Sequence, residues 1–206
     1  MPLQNRVTPF GEIVAHPGRG LLMGNRGCLH GQGRTLGTSR WRSKLWICCV
    51  LRWKDVRRPV MPPGRWTALF FLDEATSLAA GHRPCGFCRR RDFLAYAESW
   101  RQAAGLEVRP RASEMDAILH ASRVESRTRR QRTWTAPFAE LPDGVMVRHG
   151  DRPALVMGGL LRPWSFGGYG DPVRPPAPVL EVLTPPASVA VLATGYEPLL
   201  HPTALD

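Results

Sequence analysis

The residues most able to do chemistry lie in one run, Gly81-His82-Arg83-Pro84-Cys85-Gly86-Phe87-Cys88-Arg89-Arg90-Arg91. It joins a Cys-x-x-Cys pair, a histidine upstream and three consecutive arginines downstream. Two thiolates at that spacing can reach one ion from a tight turn, as in many zinc knuckles. A closed structural zinc site takes four ligands. Two more must therefore come from elsewhere in the chain. Cys48 and Cys49 sit in the apolar segment 45–53. If that segment is a strand, alternation turns only one of them toward the knuckle. Cys28 and His30 lie in a Gly-rich stretch able to approach a metal, and His82 is near in sequence. The expected set is Cys85, Cys88 and Cys49, completed by one of His82, His30 or Cys28, with His82 placed first. The competing reading makes Cys28, Cys48 and Cys49 buried thiols. A redox role for the pair would need a thioredoxin-like β-α-β pattern, which is missing.

Positive charge surrounds this run. The 206 residues carry a formal net charge of +11, with 26 Arg and 2 Lys. Residues 1–66 hold ten Arg and two Lys against two acids, and residues 67–134 hold twelve Arg against eight acids. Residues 135–206 hold four Arg against seven acids. A basic part joined to a slightly acidic one is the asymmetry of a chain that meets nucleic acid. A coding bias toward Arg, Gly, Pro and Ala would give the same excess. Arg89, Arg90 and Arg91 beside the knuckle, and Arg123 and Arg127 on one face of a helix, are the candidate DNA contacts. Five cysteines without a secretory leader argue for metal binding or burial rather than disulfides. No apolar run is long enough to span a membrane, and the expected compartment is cytoplasmic.

These residues need elements to hold them. Residues 45–53 and Trp66–Leu72 read as apolar strands and could pair as a hairpin, joined through a charged turn at Lys54–Arg58. Asp73 reads as the N-cap of a short helix, Glu74–Ala80, closed by Gly81. Phe93, Ala97, Trp100 and Ala104 fall on one face of a second helix that ends at Gly105. Ser113-Glu114-Met115-Asp116 resembles a capping box opening a third helix to about Arg127. Beyond Pro137 come a hairpin from Val145–His149 to Ala154–Met157, a loop from Trp164 to Pro178, a strand at Val179–Leu183 and a helix at Ser188–Ala193. The fold class is α+β: a small antiparallel sheet with a zinc knuckle and short helices, then a small β-rich unit. Residues 1–134 form the basic part and 135–206 the β-rich part, possible as two packed pieces of one domain.

Phe70-Phe71-Leu72-Asp73-Glu74-Ala75, continuing through Ala79-Ala80-Gly81-His82-Arg83-Pro84-Cys85-Gly86-Phe87-Cys88-Arg89, resembles the metal-binding domain of Ada-type DNA alkylation-repair proteins. The match covers residues 45–92, and its second half is the specific one. The resemblance implies zinc, with Cys85 and Cys88 as the second ligand pair, and DNA as partner. The family's first pair is Cys-x-x-x-Cys, whose leading cysteine accepts the methyl group. This chain has adjacent Cys48-Cys49 there, so the resemblance does not carry self-methylating repair over to it. His82 stands where the family has an aromatic residue. The Leu-Phe-Phe-Leu-Asp-Glu-Ala-Thr run is also similar to uncharacterised bacterial proteins.

Three functional readings follow. The first is a zinc-binding protein that contacts DNA, the metal being structural. The second is a hydrolase or nuclease using His120 or His30 with arginines. The third is an interaction module without nucleic acid. No G-x-S-x-G, H-E-x-x-H or P-loop motif occurs.

Overall fold

In the computed structural model, residues 1–55 and 59–206 are described. The charged turn expected over Lys54–Arg58 therefore falls in part outside the described residues. The first sheet is built from β1 (Gln4–Val7), β2 (Ile13–Ala15), β3 (Leu22–Asn25), β4 (Ile47–Val50) and β5 (Leu69–Phe71). Helix α1 (Glu74–Ala79) then leads into a sixth short strand, β6 (Arg83–Pro84). Helices α2 (Arg90–Ala103) and α3 (Ala112–Arg123) follow. The second sheet comprises β7 (Trp134–Pro137), β8 (Met146–His149), β9 (Arg152–Met157), β10 (Leu160–Ser165), β11 (Gly168–Tyr169) and β12 (Val179–Val182), and α4 (Pro186–Ala193) comes after it. The α+β class holds, with two six-stranded sheets where a small antiparallel sheet and a small β-rich unit were expected.

The first sheet has the order β2-β1-β5-β3-β4-β6. The β4–β5 hairpin expected from sequence does not form, because β3 lies between the two strands and pairs antiparallel with each. Glycine makes that insertion possible. A Cβ at Gly24 would collide with the Ile47 carbonyl, and one at Gly20 with the Phe71 carbonyl. The sheet is mixed, since β1 runs parallel to β5 and β4 parallel to β6. The second sheet, β11-β10-β9-β8-β12-β7, is antiparallel throughout. Its β10–β11 hairpin occupies part of the Trp164–Pro178 stretch read as loop.

Helix α1 is capped as expected, with Asp73 accepting from the Thr76 backbone N–H at 2.9 Å. Every residue of α1 is buried. Ala75 and Ala79 pack with Met146, Leu155 and Trp164 of the second sheet. Tyr96 and Trp100 of α2 and Met115 and Leu119 of α3 join another core with Val147, Val156 and Leu180. Helices of the first 134 residues thus share cores with strands of the remainder. Helix α3 departs from expectation at both ends. The Glu114 carboxylate accepts from the Arg111 backbone N–H at 2.6 Å, so the helix begins earlier. It stops at Arg123, which removes Arg127 from its face. Asp116 is not used in capping; it binds both Arg83 Nε and Nη2, at 3.0 and 2.6 Å.

Candidate metal centre

Strand alternation and one parallel pairing build the site. In β4, Cys48 packs with Leu22, Leu69 and Phe71, whereas Cys49 packs on the other side with Met23 and Ala68. Strand β6 runs beside β4 with Cys48 opposite Pro84, and the Cys85 backbone N–H donates to the Cys48 carbonyl at 2.8 Å. That bond seats the start of the Cys85–Cys88 turn next to Cys49. The turn closes through the Arg89 backbone N–H donating to the Cys85 carbonyl at 3.1 Å. The Phe87 backbone N–H points at Cys85 Sγ, 3.4 Å away. An N–H donated to sulfur favours the thiolate.

The sulfurs of Cys49, Cys85 and Cys88 all lie within 4.8 Å of one another, and all three residues are buried. Zn–S bonds of about 2.3 Å would place tetrahedral sulfurs roughly 3.8 Å apart, which falls within this limit. The group can hold a metal ion, and thiolate donors suit zinc. Hydrogen bonds from Cys49 and Cys88 hold the Cys85 thiol well below its usual range. Cys49 is pushed far up by its contacts with Cys85 and Cys88 and by burial. The three sulfurs titrate as a coupled group, and a cation among them would favour their thiolate forms.

The other sequence candidates lie apart from this group. Among the described residues no fourth His, Cys, Asp or Glu joins the three. His82 is fully buried between Trp46 and Phe71, with ring centroids at 5.2 and 4.7 Å. Its Nε2 accepts from Arg26 Nε at 3.3 Å. Gly81, at φ 79°, reverses the chain after α1 and turns the ring into the sheet's interior rather than toward the cysteines. His30 contacts Thr67 Oγ1 through Nδ1 at 2.7 Å and the Pro62 carbonyl through Nε2 at 3.1 Å. Cys28 is exposed, its sulfur near the His30 carbonyl. Cys48 faces Arg89 Nη1 at 3.7 Å, and burial pushes its thiol up to about 12.

The arginines divide in two. Arg89 is buried and donates to both Glu74 carboxylate oxygens at 2.9 and 2.7 Å and to Asp92 at 2.7 Å. Arg123 is buried against Trp46 and donates to the carbonyls of Gly81 and Lys44 at 2.6 and 2.7 Å. Neither guanidinium faces solvent, so both leave the set of DNA contacts. Arg90, Arg91 and Arg127 are exposed. An aromatic pair adjoins the knuckle, Trp53 and the exposed Phe87, with centroids 5.7 Å apart. Lys54 Nζ lies 5.8 Å from the Trp53 ring, and Arg90 lies 5.9 Å from the Phe93 ring. In sequence, Trp53 beside Arg52 reads as one of several tryptophans interleaved with arginines, a pattern able to stack on bases. The addition of Phe87 to this rim of aromatic and basic side chains around the sulfurs is set by the fold.

Trp46 has a guanidinium over each of two contacts, Arg26 at 4.0 Å and Arg123 at 3.8 Å. Burial, then the neighbouring Arg26 and Arg123 charges, hold His82 well below its usual range. His120 is lowered to about 4 by burial and then by Arg123. Unfolded histidine takes up its proton near pH 6.5. The stability supplied by these neutral rings is therefore complete above about pH 6.5 and drains as pH falls toward 4. Metal-free protein should show a lower urea midpoint at pH 4.5 than at pH 7, with a shallower dependence in His82→Phe. A midpoint that held level or rose on acidification would refute this assignment.

Comparison with protein-family models, with curated proteins and with solved structures finds no match. The site is therefore read from its own chemistry. No helix among the described residues is long and apolar enough to cross a membrane.

Proposed function

We infer that this chain is a zinc-binding protein that contacts DNA through the surface around its zinc. The observation that carries the reading is the convergence of three sulfurs from two separated segments. In that reading Cys49, Cys85 and Cys88 hold the ion and fix β4 to the turn before α2. The fourth position falls to a donor other than a protein His, Cys, Asp or Glu among the described residues, which departs from a site closed by four side chains. The Trp53–Phe87 pair would stack on bases, while Arg90, Arg91 and Lys54 would meet phosphates. The resemblance of residues 45–92 to Ada-type metal-binding domains supports both zinc and DNA. The hydrolase reading has less behind it. His30 is spent on Thr67 and Pro62, and His120 packs edge-on against Trp41 with no carboxylate bonded to its ring.

Elemental analysis of purified protein should find about one zinc per chain, lost in Cys85→Ser/Cys88→Ser. DNA affinity is then read by fluorescence anisotropy across a salt series. Arg90→Ala/Arg91→Ala should reduce the slope of log affinity against log salt by about 2. Wild-type protein without metal would remove the zinc reading. Zinc without DNA binding at moderate salt would leave an interaction module, and cleavage of the probe would favour the enzyme.

A further inference from the structure

A second site lies away from the cysteines, where the β1–β2 turn, the segment after α3 and the β8–β9 hairpin meet. They enclose a cleft of about 750 Å³ lined by Phe10, Arg40, Arg129, Arg130, Gln131 and Arg148, with Glu12 and Asp151 also on its wall. That volume is in the range of small-molecule sites. Arg148 is engaged, with Glu181 at 2.8 Å and the Phe10 ring at 4.6 Å. The other three guanidiniums make no ion pair among the described residues. Among the described residues, Arg40 and Arg129 are anchored by Nη1 alone, to backbone carbonyls of residues 37–39, and their remaining N–H donors have no partner there.

The segment that carries two of them is held firmly. Val124 bridges Gln131, the Glu125 backbone N–H donates to the Arg130 carbonyl, and the Arg129 backbone N–H donates to the Glu125 carbonyl. Arg129 sits in the left-handed region at φ 60°, a conformation costly for a side chain of this size. Beside it, Gln131 Nε2 donates to the carbonyls of Ala79 and Leu183 at 2.7 and 2.9 Å. Those two bonds fix the amide's orientation, and among the described residues Oε1 is buried without a donor. A Cβ at Gly11 would stand 3.8 Å from both Gln131 Oε1 and Arg26 Nη2. Gly11 places no side chain over that oxygen.

We propose that this cleft binds the phosphate monoester of a small hydroxyl-bearing molecule, a sugar phosphate or a nucleotide. The arginines receive the phosphate, for which several converging guanidinium forks are suited. Gln131 Oε1 accepts from a hydroxyl of the organic part. The two requirements act together: an anion alone leaves Gln131 unpaired, and a neutral sugar leaves the arginines unmatched.

The test is calorimetric titration of the full chain with ribose 5-phosphate, adenosine monophosphate, ribose and inorganic phosphate. At least one ester should bind. Ribose should not, and inorganic phosphate should bind about tenfold more weakly than the ester. Arg130→Ala, an exposed position, should weaken the ester about tenfold without moving the melting temperature. Gln131→Leu should weaken the ester while leaving inorganic phosphate unchanged. Absence of ester binding at millimolar concentration would overturn the proposal, as would insensitivity to Arg130→Ala. Equal affinity for phosphate and ester would overturn the role of Gln131. A short DNA strand that bound with Arg130 dependence where neither ester did would give the cleft to nucleic acid instead.

Discussion

Replacing Glu74 by alanine should cost about 3–5 kcal/mol, the range for removing one partner of a buried ion pair. Glu74 is fully buried, and its two carboxylate oxygens accept from Arg89 Nη1 and Nη2, the Tyr196 hydroxyl at 2.8 Å and the Leu199 backbone N–H at 2.9 Å. Truncation leaves a buried guanidinium with only the half-exposed Asp92 and two further donors unsatisfied. In a chain of this size the melting temperature should fall by roughly 10 °C. Adding Arg89→Met should recover part of the loss, because the double variant no longer buries a bare cation. A loss below about 1 kcal/mol in Glu74→Ala would refute the importance given to this pair. Full additivity of the two changes would do the same.

The second large effect concerns the ion. A ligand that binds only the folded chain adds about 4 kcal/mol when free at a thousand times its dissociation constant. Zinc-loaded protein should therefore melt well above protein treated with a chelator under reducing conditions. Cys49→Ser should melt alike in both, since it removes the one donor that joins β4 to the turn. Cys28→Ser, at an exposed cysteine, should keep the full difference. Wild-type curves that coincide with and without zinc would mean the three sulfurs form a packed thiol cluster.

Much of this site could be read from sequence because its signals are local. The Cys85–Cys88 spacing, the Asp73 cap and the apolar face of α2 each depend on residues within a turn or two. Alternation along β4 correctly sent one of two adjacent cysteines to the knuckle, Cys49 as expected. What escaped was set by distant pairing. The insertion of β3 between β4 and β5 depends on the absent side chains of Gly20 and Gly24; the sequence allows a short strand at Gly20–Met23 but says nothing of its partners. His82 passed as a ligand by proximity, yet a helix-ending glycine sent its ring inward. Arg89 and Arg123 resembled surface charge until Glu74 and two backbone carbonyls took them up. The cleft joins the β1–β2 turn to segments near Arg129 and Arg148 that lie more than a hundred residues further along the chain, a convergence that no spacing rule can report.

The bonds made by α1 also bear on how the chain is synthesised. Asp73 accepts from the Tyr169 hydroxyl and the His201 backbone N–H, as Glu74 does from Tyr196 and Leu199. A six-residue helix is too short to hold itself in water. Beyond Thr76 and Arg89, the remaining donors to this cap and its first residue come from residues 169–201. On the ribosome, the first two thirds of the chain would emerge with these carboxylates lacking half of their partners and α1 without its packing. At the usual elongation speed the wait for residue 201 lasts of order 10 s. During that interval the early strands have an exposed face, so a holding chaperone should be found on nascent chains that stop short of Tyr196 and not on those that extend past His201.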